Sequence, residues 1–275
     1  MIYLFRFFSH WPLPALHAVG AALGWLVWCL SPSYRAQFRA NVAQAGLAFA
    51  AARPAIAEAG RFVAELPKLW MRPPAASCLG NVRVEGQGHA DQAFALGQGV
   101  IFFGPHCGSF ELGTQALAEL YGPFTAIYRP ARKNWLARLE RIARNRANLT
   151  MVSTSLGGVR LLHKSLKANR SVGLLTDQVP PLGLGLWAPF FGKPAYTMTL
   201  AARLALQSGA TLLARGQGYL LKIWPPVSGL GAAGKSDLLH AVTQINRAIE
   251  AFVLSQPGQY LWGYARYKTP REGAL

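Results

Sequence analysis

The longest apolar stretch of the chain lies near its N-terminus. From Phe7 to Tyr34 the sequence contains no Lys, Arg, Asp or Glu. The centre of this stretch, Trp11 to Leu30, is about long enough to cross a hydrocarbon layer of ~30 Å as a helix. Pro12 and Pro14 lie at its start, where a helix tolerates proline best. The pattern predicts a membrane helix that either spans the bilayer or lies in its interface.

Charged residues on the two sides of this stretch indicate its orientation. Arg35, Arg39 and Arg53 follow it before the first acidic residue, Glu58, whereas Arg6 alone precedes it. By the positive-inside rule, the long C-terminal part stays in the cytoplasm. A cleaved signal peptide is the alternative, but the uncharged run is long and an arginine follows it instead of a small-residue cleavage motif. We therefore expect one uncleaved N-terminal anchor.

Beyond the anchor the pattern changes twice. Residues 35–80 are rich in alanine and have a helical period, which predicts membrane-proximal helices. From residue 81 onward, short apolar runs alternate with amphipathic stretches, as is typical of a layered α/β domain. The predicted strands are Val82–Glu85, Val100–Phe103, Phe124–Tyr128, Val172–Leu175, Thr211–Ala214 and Tyr219–Ile223. The predicted helices are Phe110–Leu120, Trp135–Asn145, Val159–Lys167, Thr199–Gln207 and Asp237–Leu254.

These patterns predict three parts. Residues 1–34 form the anchor, residues 35–80 form a helical lead-in, and residues 81–275 form an α/β domain with a central mixed sheet flanked by helices. No internal repeat or Gly/Ser linker divides the third part. We treat it as one catalytic or binding unit.

Composition narrows the class of protein. Charged residues make up 14% of the chain, against roughly 25% in an ordinary soluble domain, and hydrophobic residues make up 52%. The net charge of +17 favours a surface that contacts phosphates or anionic lipids. A nucleic-acid binder would also explain this charge, but a basic-aromatic recognition motif is absent from the sequence. The cysteines Cys29, Cys78 and Cys107 form neither a disulfide framework nor a metal spacing.

The most informative segment follows the predicted strand Val100–Phe103. It delivers His106 to the carboxyl end of that strand, where open α/β sheets bind ligands. A helix is predicted to begin near Ser109, a good capping residue. If the turn at Gly108 folds Glu111 back, its carboxylate can hold one imidazole nitrogen while the other takes a proton from a hydroxyl. The segment therefore predicts a general base with an orienting acid.

Cys107 suggests a second chemistry, a covalent intermediate on its thiol. Neighbouring residues on an extended segment point to opposite sides, so Cys107 and His106 are poorly placed to share a proton. A serine hydrolase is a further alternative, and the lack of a G-x-S-x-G elbow in the sequence counts against it. We therefore favour His106 as a general base over Cys107 as a nucleophile.

Further candidates follow later strands. Arg129 is expected at the same sheet edge as His106, where it would bind a phosphate or form a structural ion pair. Asp177 is expected to orient an arginine, to meet substrate, or to cap its loop. The segment from Gln178 to Trp187 is unusually apolar for a loop, so it is expected either to close a tunnel for an apolar chain or to dip into lipid.

Several motifs follow one another along the chain. They are the pair His106 and Glu111, Tyr128-Arg129-Pro130, the arginines Arg141, Arg144 and Arg146, Thr176-Asp177-Gln178, Phe190-Phe191-Gly192 with Pro194, and Gln259-Tyr-Leu-Trp262 followed by Arg266-Tyr-Lys268. The ordered set resembles the lipid A biosynthesis lauroyl and myristoyl acyltransferases, a branch of the lysophospholipid-acyltransferase superfamily. The resemblance spans nearly the whole chain, including the apolar N-terminal stretch.

The resemblance implies a function. Such an enzyme moves a fatty acyl group from acyl carrier protein to a hydroxyl of an acylated, phosphorylated glucosamine disaccharide at the bacterial inner membrane. It implies His106 and Glu111 as the catalytic pair. Arg129, Arg144, Arg146, Asp177 and Gln178 are the expected substrate-binding residues, with Arg144 as the preferred site arginine and Arg146 as the near alternative.

The expected partners are an acyl thioester donor on carrier protein or coenzyme A, a phosphorylated glycolipid acceptor, and membrane lipids, but not nucleic acid. Because a thioester is already activated, we expect no metal, ATP or other cofactor. Other acceptors, such as an aminolipid, another glycolipid or a lysophospholipid, stay open. A membrane thioesterase and a catalytically silent lipid-binding protein are the remaining alternatives.

Overall fold

A computed structural model gives the fold and describes residues 2–131, 133–144, 146–208, 211–215, 219–227 and 238–272. Helices come first: α1 (Ile2–Ser9), α2 (Leu13–Leu30), α3 (Pro32–Gln44), α4 (Phe49–Ala52) and α5 (Pro54–Trp70). The α/β part then follows in this order: β1 (Arg83–Glu85), α6 (Gln87–Ala95), β2 (Val100–Gly104), α7 (Phe110–Tyr121), β3 (Phe124–Tyr128), α8 (Asn134–Ala143), β4 (Leu149–Ser153), α9 (Leu156–Lys167), β5 (Ser171–Leu175), β6 (Gly185–Phe190), β7 (Lys193–Met198), α10 (Leu200–Ser208), β8 (Thr211–Arg215), β9 (Leu220–Pro226) and α11 (Leu238–Ser255).

The predicted anchor helix is α2. Pro12 precedes its first residue and Pro14 lies in its first turn, as the sequence predicts. Among the described helices, α2 is the one long and apolar enough to cross a membrane. At its other end, Arg35 donates hydrogen bonds of 2.7 and 2.6 Å to the carbonyls of Trp28 and Cys29, which the helix itself leaves without partners. The membrane location of α2 stays a prediction.

Glycines bring the backbones of α2 and α5 into contact. A Cβ added at Gly60 of α5 would lie 1.9 Å from the carbonyl oxygen of Gly20. A Cβ added at Gly24 would lie 2.2 Å from the carbonyl oxygen of Ile56. Gly20 and Gly24 are four residues apart and so share one face of α2, a spacing common where helices approach closely in membranes. No larger side chain fits this crossing without moving one helix.

The sheet has seven strands in the order β1-β9-β8-β2-β5-β3-β4. The neighbouring strands run parallel, except for the antiparallel pair β8 and β9. The predicted α/β architecture with a mixed sheet and an apolar N-terminal helix is thus confirmed. Strands β6 and β7 form a separate antiparallel hairpin.

The central strand β2 separates two hydrophobic cores. All five of its residues are buried, and successive side chains point to opposite faces. Ile101 and Phe103 face a core shared with α9, α10, α11 and the N-terminal helices α3 to α5. Val100 and Phe102 face a core shared with α6, α7 and α8. The lead-in therefore packs on the sheet, while the division at residues 34 and 80 stays a prediction.

Each strand and helix predicted from the sequence is present to within a few residues. Two predicted helix ends, Asn145 and Asp237, lie outside the described residues. The prediction omitted α6, β4 and the hairpin of β6 and β7. The sequence pattern does not predict α6, because the buried side of this helix consists of the alanines Ala90 and Ala93 and lacks a stripe of large apolar side chains.

The apolar loop after Gln178 leads into this hairpin. Leu182, Leu184 and Trp187 are 55%, 47% and 50% exposed, whereas Phe190 is buried. Exposed apolar side chains so close together favour contact with lipid over closure of an internal tunnel.

Candidate active site

The site lies at the carboxyl edge of the sheet, between β2 and β5. These strands are parallel neighbours, and Gly104 at the end of β2 is opposite Leu175 at the end of β5. His106 and Asp177 each follow two residues later, so the sheet register delivers both to one place.

Asp177 holds both the ring and the backbone of His106. Its Oδ1 lies 2.6 Å from Nδ1 of the ring, and its Oδ2 accepts a hydrogen bond of 2.9 Å from the backbone N–H of the same histidine. The Asp177 side chain is 3% exposed. Burial alone would raise the pKa of this carboxyl, but His106 and the charge of Arg266 lower the pKa below its ordinary value.

An ionised carboxylate only accepts hydrogen bonds, so the Nδ1–H of His106 donates to Asp177. This tautomer leaves a lone pair on Nε2. The amide nitrogen of Gln178 lies 3.2 Å from Nε2 and donates to it. The ring also contacts the edge of Phe110, with centroids 5.0 Å apart. The arrangement has the form of a general base with its orienting acid in place.

The expected contact between Glu111 and His106 is corrected by the structure. Glu111 lies in the first turn of α7, and its Oε1 accepts a hydrogen bond of 2.7 Å from Nη2 of Arg144. Asp177, not Glu111, occupies the Nδ1 side of the ring. The reason is topological, because a parallel neighbouring strand ends directly beside His106, whereas Glu111 is already part of the next helix.

Arg144 is the centre of a second cluster. It follows α8, is 13% exposed at its side chain, and stacks over Tyr128 with 4.6 Å between its central carbon and the ring centroid. Besides Glu111, its nearest anion is Glu140 at 3.6 Å. Its Nε and Nη1 have no hydrogen-bond partner within the described part of the chain. Arg144 therefore has donors left for an anionic group.

The other two predicted arginines differ in their surroundings. Arg129 follows β3 at the same sheet edge, is exposed, and has no hydrogen bond or ion pair to any described residue. Arg146 donates to the backbone carbonyls of Arg72 and Leu69, at 3.1 and 3.3 Å. Burial, together with the charge of Arg72, lowers the pKa of Arg146. Its contacts hold the C-terminal end of α5, where a positive charge is favourable.

The motif Gln259 to Trp262 holds the loop that carries His106. Gly108 donates to the carbonyl of Gln259 at 3.1 Å, and Leu261 donates to the carbonyl of His106 at 3.3 Å. Between these bonds, Cys107 pairs with Tyr260 as an isolated β-bridge. In the sequence, this motif stands out only because it resembles a family motif. In the structure, its backbone holds the loop that carries His106.

Arg266 is a residue to which the sequence assigned no role. It is 2% exposed and donates hydrogen bonds to the carbonyl of Tyr196 and to Oγ1 of Thr197, at 2.9 and 2.7 Å. Its guanidinium also lies over Phe190, 4.9 Å from the ring centroid. A buried cation fixed in this way helps to keep Asp177 ionised.

Cys107→Ala is expected to leave the acyl transfer that the resemblance implies near the level of the unmodified chain. Cys107 is 3% exposed and packs in the core with Tyr260, while the ring of His106 is held by Asp177 and Gln178. Steady-state turnover of the purified variant checks this expectation. A loss as large as that of a variant lacking the His106 ring would favour an acyl-cysteine intermediate over direct transfer.

The family model described as "Bacterial lipid A biosynthesis acyltransferase" matches residues 1–269. The chain belongs to this family. The resemblance found in the motifs is therefore confirmed.

Individual relatives cover less of the chain. The lipid A biosynthesis palmitoleoyltransferase of Escherichia coli K12 is 30% identical over 194 residues, which are 68% of this chain and 61% of that protein. The lauroyltransferase of the same organism is 27% identical over 198 residues, 69% of this chain and 63% of that protein. The phosphatidylinositol mannoside acyltransferase of Mycobacterium tuberculosis H37Rv is 27% identical over 152 residues, 52% and 47% of the two chains. The chain thus spans about three fifths of the length of the E. coli relatives that it matches.

Proposed function

We propose that this family member is a membrane-bound O-acyltransferase. It moves a fatty acyl chain from an acyl thioester on acyl carrier protein to a hydroxyl of a phosphorylated glycolipid of the lipid A precursor type. The observation that carries the proposal is the ring of His106, held at Nδ1 by the buried Asp177 and offering Nε2 at the ligand-binding edge of the sheet. Family membership supports the class of reaction.

The reaction follows from this geometry. The acceptor hydroxyl takes the position that the Gln178 amide holds at Nε2, and His106 accepts its proton as the oxygen attacks the thioester carbonyl. The carbon–sulfur bond then breaks, and His106 returns the proton to the departing thiolate. Asp177 stays ionised and stabilises the imidazolium that forms between these steps.

Substrate binding is proposed for several of the charged and polar residues. Arg144, whose Nε has no hydrogen-bond partner among the described residues, and the exposed Arg129 bind phosphate groups of the acceptor or acidic groups of the carrier protein. Glu111 positions Arg144. Gln178 contacts the acceptor beside Nε2. Arg146 acts through the end of α5, because its Nη2 binds the carbonyl of Leu69 in that helix and its Nη1 binds the carbonyl of Arg72 just after it.

The proposed location is the bacterial inner membrane. Helix α2 serves as the single anchor, and the sheet lies on the cytoplasmic side. The excess of positive charge after α2 and the exposed apolar residues Leu182, Leu184 and Trp187 support this placement.

Mass spectrometry of lipids tests the function. The purified full chain, reconstituted in lipid vesicles with an acyl-carrier-protein thioester and a lipid A precursor, is expected to yield a precursor heavier by one acyl group. Replacing the donor with acyl-coenzyme A decides which carrier is used. Free fatty acid without acylated lipid would instead identify a thioesterase, and an acylated aminolipid or lysophospholipid would replace the proposed acceptor class.

A further inference from the structure

A cavity of about 510 Å³ adjoins the loop that carries His106. It lies between α2, α5, the start of β9 and residues Gly108 and Ser109 of that loop. Phe62, in the cavity wall, packs on Phe110 with ring centroids 4.5 Å apart, and Phe110 in turn contacts His106. The volume is typical of a small-molecule site, roughly 300–1,000 Å³. The cavity thus borders the candidate active site on its membrane-helix side.

Three distant segments bring a polar cluster to its wall. Oε2 of Glu65, on α5, accepts hydrogen bonds from the hydroxyl of Tyr219 at 2.8 Å and from Nε2 of His17 at 3.0 Å. His17 lies on the apolar helix α2. Burial, together with the charge of Glu65, raises the pKa of Tyr219, so this hydroxyl stays a donor.

Two buried polar atoms of the wall lack partners. Glu65 is 3% exposed, and its Oε1 has no hydrogen-bond partner among the described residues. The Oγ of Ser109, in a side chain 6% exposed, has none there either. Ser109 is the N-cap residue of α7, yet its hydroxyl makes no capping hydrogen bond. Buried polar groups in folded proteins are almost always satisfied, and both residues line the cavity, so a ligand bound there can supply the missing partners.

The charged residues in the cavity wall favour some classes of ligand over others. Arg61 is the one Lys or Arg among the described lining residues, and it is already paired with Glu58. Glu65 then faces the cavity with only His17 beside it as a potential cation. A phosphate would meet a carboxylate here, whereas hydroxyl groups can donate to Oε1 of Glu65 and to Oγ of Ser109.

We infer that this cavity binds the hydroxyl-bearing sugar ring of the acceptor lipid. Oε1 of Glu65 and Oγ of Ser109 receive the sugar hydroxyls, and His17 and Tyr219 hold the Glu65 carboxylate. The anchor helix thereby contributes directly to substrate binding. The inference rests on the proposed function, to which it adds a subsite for the uncharged part of the acceptor headgroup.

Kinetics of two variants test the subsite. With acyl donor saturating and the lipid A precursor varied, Glu65→Gln and Tyr219→Phe are each expected to raise KM for the acceptor about tenfold, because a hydrogen bond to a charged group is lost. The values of kcat and of KM for the donor are expected to stay close to those of the unmodified chain. Glu250→Gln is the matched control, since this carboxylate accepts from the backbone of Phe191 and does not line the cavity.

The kinetic split separates binding from folding. A purely structural role of Glu65 would lower the thermal unfolding midpoint without raising KM for the acceptor, and that result would overturn the subsite. If Glu65→Gln does not fold, Tyr219→Phe carries the test, because it removes a single hydroxyl. Unchanged KM for the acceptor in the folded variants would likewise overturn it.

Photo-crosslinking separates failure of the subsite from failure of the proposed function. A lipid A precursor that carries a diazirine on its sugar is irradiated with the full chain in vesicles, and modified peptides are mapped. Crosslinks within Leu13–Leu30 and Pro54–Trp70 support the subsite. If they form while the unmodified chain transfers no acyl group, the subsite stands and the proposed function fails. Crosslinks confined to other segments overturn the subsite even where transfer is intact.

Discussion

His106→Ala is expected to lower kcat for acyl transfer by about 10²-fold or more, the usual loss when a general base is removed. The variant lacks the nitrogen that accepts the proton of the acceptor hydroxyl and returns it to the leaving thiol. Substrate affinity is expected to change little, because the proposed anion-binding groups are on Arg144 and Arg129. Initial rates in lipid vesicles, with both substrates saturating, measure the effect.

A second histidine serves as the control for this loss. His89→Ala removes an imidazole from α6, and neither the candidate active site nor the cavity includes it. Circular dichroism and the thermal unfolding midpoint establish that both variants are folded. Near-normal transfer by folded His106→Ala would contradict the assignment of the base.

Asp177→Asn is expected to lower kcat by a similar factor. The amide has nearly the shape of the carboxylate, so the backbone hydrogen bond to His106 can persist. It lacks the negative charge that stabilises the imidazolium, and its NH₂ group can donate to Nδ1, which favours the tautomer with the proton on Nε2. That tautomer cannot accept the hydroxyl proton. The measurement is kcat under saturating substrates, together with the unfolding midpoint.

Glu111→Gln tests whether Glu111 or Asp177 is the carboxylate that orients His106. Since Glu111 binds Arg144 in the structure, this variant is expected to raise KM for an anionic substrate more than it lowers kcat. The opposite pattern, with kcat lost in Glu111→Gln and retained in Asp177→Asn, would return the orienting role to Glu111, as the sequence first indicated.

The parts of the fold that the sequence predicted have strong local signals. Strand β2 is an unbroken apolar run because both of its faces are buried, and a histidine after glycine and proline marks where it ends. The hairpin of β6 and β7 lacks such a signal, because Pro189 and Pro194 lie opposite each other within it. Prolines cannot donate to a ladder, but a hairpin without further neighbours tolerates them.

The candidate site was predicted in its residues but not in its pairing. His106, Asp177 and Gln178 were each singled out, yet their meeting depends on β2 and β5 being neighbours, although two strands intervene in the chain. Because the sequence does not reveal which strands are neighbours, local spacing favoured Glu111 as the residue that orients His106. The cluster of His17, Glu65 and Tyr219 was harder still, since its members belong to three distant segments that only the tertiary fold brings together.

The close contact of Gly20 and Gly24 on α2 with Gly60 on α5 shows that α2 is more than a membrane tether, because it also packs specifically against the rest of the chain. A tether could be exchanged for any apolar helix of equal length, and a chimaera built that way would still reach the bilayer. Here the exchange would introduce side chains where two backbones touch. It would also remove the imidazole that supports Glu65. Under the proposed function, such a chimaera is expected to be correctly localised and yet defective in recognising its acceptor.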